Sequence, residues 1–126
     1  MDENDEIERP DRDLRYFLPL YKATIVGDWG AIHRFLEEDP PALTAAITAF
    51  SETTLHVAVR KGLSLQVISR LVDFMSPDSL ETQDRNGETP LHSAGMVGNT
   101  EAAKILCREN PRLPQIPNML DETLLI

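Results

Sequence analysis

Apolar residues recur along this chain in clusters with helical spacing, and the clusters themselves repeat. Thr53-Thr54-Leu55-His56-Val57-Ala58 returns 36 residues later as Thr89-Pro90-Leu91-His92-Ser93-Ala94, and each copy has a glycine four residues after its alanine, Gly62 and Gly98. The same frame fits Leu18-Pro19-Leu20-Tyr21-Lys22-Ala23 with Gly27, and it starts again at Glu122-Thr123-Leu124-Leu125. The tails match as well: Pro41-Ala42-Leu43, Asp78-Ser79-Leu80 and Pro111-Arg112-Leu113 each follow a helical stretch. A unit of about 33–36 residues lies in the range of helical solenoid repeats. Units are expected at about 18–48, 49–84 and 85–118, with a truncated fourth at 119–126 in which Leu124-Leu125-Ile126 leave apolar side chains seeking a neighbour.

Each part of the unit has a local cause. Thr53 and Thr89 can cap a helix through their hydroxyls, and Pro19 and Pro90 suit a first turn where no N–H is needed. Leu20, Leu55 and Leu91 share a face with Ala23, Ala58 and Ala94 three residues on, the alanine being small enough for close helix approach. Gly27, Gly62 and Gly98 then end a first helix of about two turns in the left-handed conformation. Second helices follow, striped by Ile32, Phe35 and Leu36, by Val67, Ile68, Leu71 and Val72, and by Ala102, Ala103, Ile105 and Leu106. Pro40, Pro77 and Pro111 stop them. Between units, Asp84-Arg85-Asn86-Gly87 predicts a tight turn with positive φ at both Asn86 and Gly87, marking an exposed finger.

Charge narrows the partners. The formal net charge is -9, and much of it lies in the first 13 residues, which predict a disordered acidic leader. That sign repels phosphate backbones, so nucleic acid is not an expected partner. The N-terminus is acidic where a secretory signal would be basic, and no apolar run approaches the roughly 20 residues needed to span a bilayer. Direct membrane insertion by this chain is therefore not expected. Cys107 is the sole cysteine; with no disulfide to form, it fits a reducing, cytoplasmic setting and reads as a structural thiol.

Catalytic and metal chemistry find little support. His56 and His92 recur in register, which argues for a structural imidazole bonded within its own unit, and a lone cysteine supplies no further zinc ligands. Asp84 and Asn86 lack the rest of a calcium loop. Ser93 beside His92 is not a nucleophile and base pair, because adjacent helical residues point in different directions. No catalytic residue, metal or cofactor is expected, and the chain reads as a non-enzyme. Trp29, at the start of a second helix, is expected to pack on a neighbouring loop rather than stand exposed.

The run from Asp84 to Ala94 with Gly98-Asn99 resembles a near-complete ankyrin repeat, whose core is T-P-L-H-x-A. The resemblance covers about Leu18 to Ile126, with Tyr21 for the family's histidine in the first unit and Thr54 and Ser51 for its proline and turn glycine in the second. It implies an all-α solenoid of antiparallel helix pairs with short β-hairpin-like fingers, working as a protein-protein interaction module in a signalling scaffold. A narrower stretch, Phe17 to Ala58, is similar to the ankyrin portion of plant PGG-domain proteins. Those proteins carry a C-terminal membrane region, so this likeness implies a cytosolic regulatory array of a membrane-anchored stress or defence protein. Carried over from the ankyrin family by position, the expected partner-binding residues are Ala49, Phe50, Glu52, Arg60 and Lys61 in one unit and Arg85, Asn86, Glu88, Met96 and Val97 in the next.

Overall fold

A short helix, a left-handed glycine and a second capped helix recur through the structure, a computed structural model that describes residues 13–123. The expected acidic leader, apart from Asp13, and the apolar Leu124-Leu125-Ile126 lie outside the described residues. Three helix pairs result: α1 (Leu18–Val26) with α2 (Trp29–Glu38), α3 (Thr54–Lys61) with α4 (Leu65–Asp73), and α5 (Pro90–Val97) with α6 (Thr100–Glu109). In α3 and α5 the caps are reciprocal. The hydroxyls of Thr53 and Thr89 accept from the backbone N–H groups of His56 and His92, whose rings accept in turn from the threonine N–H.

Gly27, Gly62 and Gly98 have φ of 72°, 69° and 72°, which turns the chain directly into the next helix. There Asp28, Ser64 and Asn99 cap α2, α4 and α6 through their side chains. A 3₁₀ turn follows each pair, at Pro40–Thr44, Pro77–Glu81 and Leu113–Gln115. Leu80 and Leu113 are buried in these turns; in the first, Ala42 is buried in place of Leu43.

First helices stack on first helices, α1 on α3 and α3 on α5, while α4 packs on α6. Leu20, Leu55 and Leu91 are almost wholly buried, with Ala23, Ala58 and Ala94 beside them, and Ile32, Ile68, Leu71 and Leu106 close the core from the second layer. Fully burying each leucine or isoleucine contributes roughly 1.5–3 kcal/mol, so the layers are joined mainly by these side chains. Trp29 packs against the neighbouring unit. Its ring stacks on Phe74, at the end of α4 in the next unit, with centroids 5.9 Å apart.

Two expectations about the polar skeleton are corrected. Each histidine does bond its own threonine through Nδ1, but Nε2 reaches out of the unit: His56 donates to the Glu88 carbonyl at 2.8 Å and His92 to that of Glu122 at 3.2 Å. Nδ1 accepts a backbone N–H, so Nε2 carries the ring's single proton. The imidazoles thus join consecutive units.

The fingers are turns without strand ladders among the described residues, and Asn86 does not take positive φ; only Gly87 does, at 75°. The reason lies in Asp84, whose Oδ1 accepts from both Asn86 N–H and Glu88 N–H and holds the turn in another form. Thr48 and Asn118 make the same pair of bonds in the neighbouring fingers. Ser51 and Asp121, which align with Gly87, are forced to φ of 61° and 64°.

Candidate functional site

Successive fingers lie side by side because backbone bonds join them: Arg85 N–H donates to the Phe50 carbonyl at 2.8 Å and Met119 N–H to that of Asn86 at 2.9 Å. This close approach is why a glycine stands at 87, where a Cβ would sit 2.8 Å from the Met119 nitrogen. With the fingers fixed along one edge, the exposed faces of α1, α3 and α5 form the floor of a groove of about 620 Å³.

Of the ten residues expected at a recognition surface, eight line this groove. Ala49 and Phe50 come from one finger, Asn86 and Glu88 from the next, Arg60 from α3, and Met96 and Val97 from α5, with Glu52 at the base. Phe50 is 61% exposed and Met96 69%, a large apolar area left uncovered among the described residues. Lys61 and Arg85 do not join them. Lys61 lies over the shallow hollow between the α3 end and α6, and Arg85 on the far side of the finger row, near Asp39 and Pro41.

Glu52 differs in kind from its neighbours. Only 6% exposed, it is clasped by Arg60, whose Nε and Nη2 donate to the two carboxylate oxygens at 2.7 and 2.9 Å. That bidentate bond raises the pKa of the guanidinium above its ordinary value. It fixes the Arg60 guanidinium at the groove, so Glu52 positions a groove residue and offers little surface of its own.

Glu88, the equivalent of Glu52 one unit on, has its pKa raised by partial burial and then by the nearby Asp84 carboxylate. Elsewhere, burial lowers the pKa of His56 and raises that of the Cys107 thiol, which is half-buried. Both ring nitrogens of His56 and His92 are occupied by hydrogen bonds. Among the described residues no cluster of His, Cys, Asp or Glu is arranged to hold a metal ion.

Leu14, Leu18 and Tyr21 also line the groove, and sequence reasoning missed them. A signal existed: Leu18 falls at the threonine cap position of its unit, where the repeat's core needs no apolar side chain. Leu14 and Leu18 are 40% and 43% exposed.

Comparison with known proteins agrees with this architecture. The family model for ankyrin repeats (3 copies) matches residues 20–115. The chain is 38% identical over 90 residues to the "Probable E3 ubiquitin-protein ligase XBOS31" of rice, covering 71% of this chain and 19% of that protein. It is 34% identical over 61 residues to mouse inversin and 33% to human inversin, covering 48% of this chain and 6% of either relative. The chain therefore spans about a fifth or less of the length of these relatives. Ankyrin repeats are protein-protein interaction modules, and the finger-lined groove has the form of a recognition surface. With three quarters of its length matched and its threonine caps and left-handed glycines in register, the chain belongs to the ankyrin-repeat family.

Proposed function

We propose that the groove between the fingers and α1, α3 and α5 is the surface through which this chain binds another protein, and that the binding serves a signalling scaffold on the cytoplasmic side of the cell. The observation that carries this reading is the exposure of Phe50, on a finger, and Met96, on α5, in one groove whose framework is held by backbone bonds. Ala49, Asn86, Glu88, Val97 and Arg60 complete the contact surface, with Leu18 extending it. Lys61 and Arg85 line separate hollows and stand outside this contact surface.

The likeness to a rice protein named as a probable ubiquitin ligase supports a recognition role inside a longer chain with an activity of its own. The similarity of Phe17 to Ala58 to plant PGG-domain proteins supports the variant in which such a chain is held at a membrane; no helix among the described residues is long and apolar enough to cross one.

The test replaces Phe50 and Met96 with alanine and uses Lys104→Ala, on the exposed side of α6, as the control. Quantitative affinity purification of the whole chain should lose its enriched partner with the groove variant and keep it with the control, with circular dichroism unchanged in both. Equal recovery of the partner by both variants would remove the groove from the function.

A further inference from the structure

The repeat allows one unit to be read against the next. In the second unit the finger carboxylate Glu52 is neutralised by Arg60 from the helix behind it. In the third unit the finger carboxylate is Glu88, and the position equivalent to Arg60 is Met96. The internal cation has been replaced by an exposed thioether side chain. Among the described residues no cation is paired with Glu88; its charged and titratable neighbours are Asp84, Glu122 and the His92 ring. Its carboxylate is half-buried beside Asn118 and opens on the groove.

The groove therefore carries its own cation against the second unit's carboxylate and none against the third's. Glu52 and Arg60 cancel, which leaves Asp84 and Glu88 as its uncompensated charges, and the whole chain at -9 adds an attractive field for a basic partner. Phe50 and Met96 flank these carboxylates with apolar surface that suits the aliphatic stem of a lysine or arginine and the residues beside it.

We propose that the partner presents a basic segment, with a lysine or arginine seated against Glu88 and Asp84 where the repeat's own cation is missing, and apolar side chains to either side resting on Phe50 and Met96. This assignment rests on the groove being the recognition surface proposed above. It follows that the third unit, rather than the second, selects the partner's charge. Supplying the missing cation from within, by Met96→Arg, should close the site by pairing with Glu88 as Arg60 pairs with Glu52.

The test is a selection of random 12-residue peptides against the whole chain, followed by titration of the enriched sequences by fluorescence anisotropy. Peptides carrying a lysine or arginine between apolar residues should be enriched. Their affinity should fall about tenfold or more with Glu88→Gln and with Met96→Arg, the loss expected for a charge-assisted bond, and should weaken further as salt is raised. Enriched peptides that lose affinity with Phe50→Ala but lack a basic residue, or ignore both charge variants, would overturn the inference and leave the recognition reading standing. Peptides indifferent to Phe50→Ala and Met96→Ala alike would overturn both. Glu88→Gln is isosteric, and both charge variants are to keep the parent's circular dichroism, so a change in affinity reports on the site.

Discussion

Thr54→Pro should stabilise the array, and the structure gives the size of the effect. Thr54 is the first residue of α3, where α5 has the buried Pro90, and it is completely buried. Its hydroxyl is enclosed and has no hydrogen-bond partner among the described residues. Removing a buried, unsatisfied hydroxyl recovers about 1–3 kcal/mol. Fixing the backbone with proline at a compatible position adds about 0.4–1 kcal/mol through the unfolded chain. Compatibility holds on both sides: the preceding Thr53 is extended, with ψ of 174°, as a residue before proline must be, and a first-turn N–H has no helical acceptor to lose. Thr54→Val separates the two contributions, since it removes the hydroxyl at nearly constant shape. The assay is urea unfolding of the parent, Thr54→Val and Thr54→Pro, with the slope checked for constancy so that the midpoint reports stability. Valine should gain at least about 1 kcal/mol and proline slightly more, with melting temperature rising on the order of 5 °C per kcal/mol. A lower midpoint for both variants would refute the reasoning, because it would mean that the hydroxyl is satisfied.

Other consequences follow from the same geometry. Ser51→Gly should stabilise by about 1 kcal/mol in the same assay by relieving a left-handed serine, whereas Gly87→Ala should cost at least about 2 kcal/mol, through the same strain plus a collision with the Met119 backbone. Burial lowers the pKa of His56 below its ordinary 6.5, so its contribution is complete above about pH 6.5. That contribution is lost as pH falls, by at most about 1.4 kcal/mol per pH unit. Unfolding measured between pH 7.5 and 5 should show this slope in the parent and a reduced one in His56→Gln. Arg60→Ala should cost about 1–2 kcal/mol by stranding the buried Glu52, a figure discounted because Arg60 is itself partly exposed. Adding Glu52→Gln should recover much of that loss in a double-mutant cycle.

The helical framework was legible because its causes are local. Thr53 and Thr89 cap as their chemistry suggests, Gly27, Gly62 and Gly98 take the left-handed turn, and the leucine and alanine pairs face the core. What sequence reasoning missed depends on distance between units. The bond from His56 to the Glu88 carbonyl joins residues 32 positions apart, and only the stacking spacing determines that the ring reaches it. The Asn-Gly pair predicts one turn, but the Asp84 carboxylate imposes another. Burial of Glu52 followed from Arg60 lying eight residues away on a helix that folds back over the finger. Leu18 had a signal in its place at the threonine position of the first unit, whereas Leu14 joined the groove only through the stacking of that unit on the next.

The central claim, that the finger-lined groove is the recognition surface, is tested most directly by photo-crosslinking from within it. Benzoylphenylalanine placed at Phe50, at Met96 or, as a control, at Lys104 on the opposite layer should give a discrete covalent adduct with one protein from the first two positions. The control position should give none. Adducts of the same protein from Lys104, with none from Phe50 or Met96, would contradict the account.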